Sequence, residues 1–189
     1  MSTQFEIPAL YVEGPALAAF AVYAVAQRWR NAPGWSGRHL AARVTAALYA
    51  AAVVSLTLFP IRVYTGEYRN LSPWFNQISP IPLLMADVTM VPNVIMFVPF
   101  GFLLPLFIRC EGARRMAWMA ALASLAIEGT QLAQYIVFSS GRAVDINDVI
   151  ANTLGGLIGF ALLRLALRRE RTRALFARWA LPAAAPTRV

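Results

Sequence analysis

GRAVDINDVIANTLGGLIGFALLRLA, residues 141–166, decides how this chain folds. The stretch opens with Arg142, Asp145, Asp148 and Asn152, then runs apolar through Gly155, Gly156 and Gly159 to Arg164. About 20 helical residues cross a hydrocarbon core of about 30 Å, and this segment is long enough. Carboxylates and amides inside that core are costly, so they mark a place with a task. If the helix already includes Asp145, an advance of about 100° per residue gathers Asp145, Asp148, Asn152, Gly155, Gly156 and Gly159 on one side. That face is polar first and bare glycine after.

The same character extends outward. Of the 189 residues, 59% are hydrophobic and 14% charged, far from a soluble composition. Five apolar stretches are expected to span, at about 9–27, 40–60, 90–109, 114–138 and 148–168. The expected fold is an all-α, polytopic membrane helical bundle of about five transmembrane helices, a single membrane domain over 1–189. No basic cluster opens the chain and Glu6 sits where one would be expected, so the first span is expected to remain in the mature protein. Cys110 is the one cysteine, which excludes an intramolecular disulfide and a cysteine-based metal site.

Arginine supplies the orientation. All 17 basic residues are Arg; fourteen flank the first and third loops or follow the fifth span, and only Arg62, Arg69 and Arg142 fall on the other side. The positive-inside rule then places the N-terminus outside and the C-terminus in the cytoplasm, with 169–189 an Arg-rich cytoplasmic tail. The net charge of +8 is mainly this topology signal, and anionic-lipid attraction at the tail is secondary. Nucleic-acid binding needs a soluble basic domain with base-reading elements, and the sequence has none. The longest connection, about 61–89, carries Pro60, Pro73, Pro80 and Pro82 with Tyr64, Tyr68, Trp74 and Phe75. Proline forbids a continuous helix there and the aromatics suit the headgroup level, which leaves a lid or an interfacial connector.

Three spans bring polar residues to one layer. Ser124, Glu128, Gln131 and Tyr135 share a side of the fourth span, as do Asn93 and Phe97 on the third. Glu128 is expected a few ångströms outward of the midplane, Gln131, Asn152 and Asn93 about 8–10 Å outward, and Asp145 and Asp148 near the outer boundary. The glycines at 155, 156 and 159 are expected to admit a close helix, with the fourth span the natural partner through its short loop. Pro92, Pro99 and Pro105 are expected to break or kink the third span and free carbonyls for neighbours or water.

At these residues the chain resembles the VanZ-like family. NVIMFVPFGFLLP (93–105) is similar to its Asn, Phe, Pro and Gly signature, SLAIEGTQ (124–131) to its I-E-x-x-Q element, and GRAVDINDVIANTLGGLIG (141–159) to its Arg, Asp, Asp, Asn and Gly-Gly signature. The motif region covers about 90–165. This resemblance implies a small multi-pass protein of the bacterial cytoplasmic (inner) membrane, with the best-known member linked to reduced susceptibility to the glycopeptide teicoplanin.

The residues leave the chemistry open. Glu128, Asp145 and Asp148 are the candidate catalytic groups, as acid and base on an outer-leaflet substrate, with Asn93, Gln131, Arg142 and Asn152 as binding groups. Hard cations favour such oxygens, so a divalent cation is possible although no metal or other cofactor is assigned. Arg142 can clamp a phosphate or carboxylate, or neutralise Asp145. The structural alternative is an interhelical network of hydrogen bonds and ion pairs. Three functions follow: binding or modifying a membrane lipid or lipid-linked envelope precursor, proton-coupled transport or flipping with Glu128 as relay, and noncatalytic assembly with a protein partner or a second copy. No Ser-His-Asp set, Cys-His pair or phosphate-cradling glycine loop is present, which argues against hydrolase and ATPase readings.

Overall fold

The computed structural model describes residues 2–35, 37–82 and 90–181. Asp87, Arg188 and part of the 61–89 connection and of the 169–189 tail lie outside the described residues. The described chain is mostly helical: β1 (Gln4–Ile7), α1 (Leu10–Trp29), α2 (Gly37–Leu58), β2 (Ile61–Tyr64), β3 (Ile78–Ser79), α3 (Met90–Leu103), α4 (Ala113–Phe138), β4 (Val144–Asp145), α5 (Ile146–Ala166) and α6 (Glu170–Trp179).

Three of these helices, α1, α2 and α5, are long and apolar enough to cross a membrane. α4 has the length, but its starting arginines and its Glu128, Gln131 and Gln134 lower its hydropathy. α3 is shorter than the apolar stretch expected at 90–109. It has 14 residues and gives way to a 3-10 turn at Leu104–Leu106, so at about 1.5 Å per residue it reaches roughly 21 Å. The cause is Pro105, which lacks an amide hydrogen and crowds the preceding turn. Pro99 is accommodated inside the helix.

α5 is the centre of the bundle. Its principal neighbours are α3 and α4, and 39% of its apolar stretch is buried against 6% for α1. The glycine seam explains the closeness, and it corrects the expected partner. A Cβ at Gly155 would strike the Val94 carbonyl and one at Gly159 the Val98 carbonyl, both on α3, while Gly101 of α3 returns the fit against the Gly156 carbonyl. Only Gly156 turns to α4, with Ala120 Cβ 2.8 Å from where its own Cβ would lie. The short loop joining α4 to α5 makes them sequence neighbours, but the backbone-to-backbone approaches of Gly155 and Gly159 are to α3, whose Gly101 is in register with Gly156. Backbone-to-backbone approach of this kind is what small residues permit in lipid.

Outside the helices, β1 pairs antiparallel with β2, Gln4 opposite Tyr64 and Ile7 opposite Ile61. β3 pairs parallel with β4, Ile78 opposite Val144 and Ser79 opposite Asp145. The 61–82 connection therefore folds back on the mouth of the bundle, where α5 begins.

Candidate functional site

All three sequence motifs meet at the start of α5. Asp145 is the N-cap of α5, with extended backbone, and its carboxylate accepts the Asn147 amide hydrogen at 2.8 Å. The expectation that Asp145 shares a helical face with Asp148 is thus corrected. A short carboxylate at this position satisfies an orphan amide of the first turn, and that local bond competes successfully with continuing the helix backward. Asp148 lies in the first turn proper, where the helix dipole favours negative charge.

Glu128 of α4 is 3% exposed, and its Oε2 accepts the backbone amide of Asp145 at 3.1 Å. One buried carboxylate therefore holds the very residue that caps the next helix. From α3, Asn93 Nδ2 donates to Asp148 Oδ1. Deeper in α5, Asn152 donates to Ser124 Oγ at 2.9 Å; its own Oδ1 is buried and has no partner among the described residues. Asn93, Glu128, Asp145, Asp148 and Asn152 are brought together as an acid and amide cluster from three helices, with Asn93, Asp145 and Asp148 half-buried at its open side. Among the described residues no three Asp, Glu, His or Cys side chains form a group that could hold a metal ion.

Gln131 and Arg142 turn elsewhere. Gln131 Nε2 donates to the Thr57 carbonyl at 2.9 Å, Gln134 Nε2 to Leu58 at 3.2 Å, and Arg142 Nη2 to Phe59 at 3.0 Å. These are three consecutive carbonyls at the C-terminal end of α2. Pro60 follows and has no amide hydrogen, so the last carbonyls of α2 need side-chain donors. Among the described residues Arg142 forms no ion pair with Asp145, which corrects that expectation; a cation suits the negative end of the α2 dipole better. Burial, with Arg62 nearby, lowers the Arg142 pKa from its ordinary value.

The connection is fastened over the same end. Tyr135 donates its hydroxyl to the Ser72 carbonyl at 2.6 Å, and Arg69 Nε reaches Ser139 Oγ at 3.5 Å. Sequence reasoning missed Gln134, although it continues the three-residue spacing of Glu128 and Gln131. It also missed Thr57, Leu58 and Phe59, whose contribution is backbone and carries no side-chain signature.

Comparison with known proteins follows the motifs. The VanZ/LLP1 family model matches residues 46–167. The chain is similar to "Protein VanZ" of Enterococcus faecium, with 30% identity over 129 residues, 68% of this chain and 77% of the relative. No solved structure matches. The matched residues take in α3, α4 and α5 with their Asn93, Glu128 and Asp145–Asn152 elements, and on both comparisons this chain belongs to the VanZ-like family.

Proposed function

We propose that the chain is a five-span protein of the bacterial cytoplasmic membrane, N-terminus outside, whose acid and amide cluster faces the outer leaflet and binds or modifies a lipid-linked envelope component. The arginine distribution supports the orientation, and the length of α4 supports counting it as a span. The observation that carries the function is the gathering of Asn93 and Asp148 at the open side of the cluster, with Glu128 buried behind Asp145. Carboxylate and amide oxygens in this setting accept hydrogen bonds, so the head group they suit is rich in hydroxyl and amide donors. The 61–82 connection, paired to β4 beside Asp145, forms one wall of the approach. Through such a component the protein affects glycopeptide susceptibility, teicoplanin being the compound to test first.

The test compares a deletion strain with Glu128→Gln and Asp148→Asn strains for envelope lipid composition and teicoplanin susceptibility. Both substitutions keep an oxygen that accepts the native hydrogen bond, so membrane abundance is expected to hold while the deletion phenotype appears in full. A phenotype that scales with lost protein would favour a second reading, noncatalytic assembly. That reading draws on Gln131, Gln134 and Arg142, whose hydrogen bonds to Thr57, Leu58 and Phe59 serve the end of α2.

A further inference from the structure

The opposite end of the bundle holds a site whose charged residues, Arg109, Glu111 and Arg164, lie outside the three quoted motifs. Two cavities adjoin beneath α6. The larger, about 320 Å³, is walled by Ala42 and Thr45 of α2, Phe102 of α3 and Trp179 of α6, among others, and is almost wholly apolar. The smaller, about 230 Å³, contains Arg109, Cys110, Glu111 and Arg164 in its wall. Leu163 and Phe176 line both, so the two spaces flank one pair of side chains.

α6 is fixed in this position. The Leu181 amide donates to the Leu106 carbonyl at 2.8 Å, which ties the chain after α6 to the end of α3. Arg164 lies in the last turn of α5 with its guanidinium 5.9 Å from the Phe160 ring centre. Arg109 pairs with Glu111 at 2.9 Å at the half-exposed rim. An apolar chamber joined to one that sets two guanidinium groups against the single Glu111 carboxylate, a net positive charge, complements an amphiphile bearing a negative head. Free phosphate would leave the apolar chamber unused, and a neutral lipid would bring no net charge to the two guanidinium groups.

We propose that an anionic phospholipid occupies the paired cavities, its phosphate between Arg164 and Arg109 and an acyl chain against Phe102, Leu163 and Trp179. The site rests on charge complementarity and shared walls. Arg171, Arg173 and Arg178 on α6 add long-range attraction to the same leaflet.

Cys110 reports on occupancy, since it lines the cationic cavity, is partly exposed and is the only cysteine in the chain. Burial pushes its thiol pKa up, so maleimide labelling is run at mildly alkaline pH. The full chain is reconstituted in phosphatidylcholine nanodiscs with or without phosphatidylglycerol. Phosphatidylglycerol is expected to slow Cys110 labelling about fivefold, the effect of roughly one arginine–lipid contact. Arg164→Gln is expected to lose most of that protection and Arg109→Gln part of it, while Arg171→Gln, which lines neither cavity, keeps it. Equal labelling in both lipids overturns the proposal, as does full protection in both Arg164→Gln and Arg109→Gln. Glycerol phosphate without acyl chains is expected to give no protection; protection by it would remove the lipid from the assignment. Protection that depends on two chains per disc would put a second copy in the site and likewise overturn it.

Discussion

The C-terminal end of α2 and the N-terminal end of α5 lie side by side, and they use polar residues in opposite ways. At α2, Gln131, Gln134 and Arg142 each donate to a different one of three consecutive carbonyls, although Gln134 Oε1 is itself buried without a partner among the described residues. At α5, Asn93, Asp148, Asp145 and Glu128 hold one another while keeping oxygens toward an open side, and Asn152 Oδ1 lacks a partner among the described residues. The contrast teaches that a polar residue inside a membrane bundle has to be sorted by what its donors and acceptors already do. A donor spent on a backbone carbonyl maintains the fold, and a half-buried carboxylate such as Asp145 or Asp148 keeps acceptor capacity near the surface, where a ligand could reach it.

Substitutions can break this contrast in order of size. The largest effect is expected from Gly159→Val, which drives a side chain into the Val98 carbonyl and pushes apart the α5–α3 seam that holds Asn93 beside Asp148. Overpacking of this kind costs about 1–3 kcal/mol or more, and the expected outcome is loss of folded protein by size-exclusion profile and membrane abundance. Retained abundance would show that the seam is not required. Gln134→Leu comes next, because it leaves the part-buried Leu58 carbonyl without its side-chain donor, at about 1 kcal/mol. Its thermal midpoint in detergent is expected to fall, with function falling only in proportion to protein.

Asp148→Asn sharpens the contrast from the other side. The amide oxygen introduced there would still accept from Asn93, so stability is expected to shift by less than about 1 kcal/mol while the envelope phenotype disappears. A variant as functional as the parent would return Asp148 to a structural role. The smallest effect belongs to Glu6→Gln, which loosens an exposed pair with Arg62 at 2.9 Å. Exposed pairs contribute about 0–1 kcal/mol, so neither thermal midpoint nor susceptibility is expected to change measurably. A large loss would show that the β1–β2 ladder governs the cluster.

Much of this is legible in the chain. The helical segments at 9–27, 40–60 and 114–138 lie close to α1, α2 and α4, because unbroken apolar stretches register in composition alone. Asn93, Glu128, Asp148 and Asn152 stand out because polar residues are conspicuous against alanine and leucine. The length of α3 is harder to judge, since whether a given proline ends or merely bends a helix depends on what takes up the freed carbonyls. Asp145 escapes the helical projection because spacing defines a face only where the helix already exists, and its carboxylate is what starts that helix.

The sequence by itself determined a helical membrane composition, the asymmetry of its arginines, and the family motifs with their spacing, since each is a property of residue type and order. The tertiary structure alone decided that the glycine face of α5 meets α3 rather than α4, that Arg142 serves α2 rather than Asp145, and that Glu128 holds the start of α5. These are choices among partners of similar chemistry. They are settled by which backbone comes within hydrogen-bond reach, a matter of three-dimensional proximity that residue order does not encode locally.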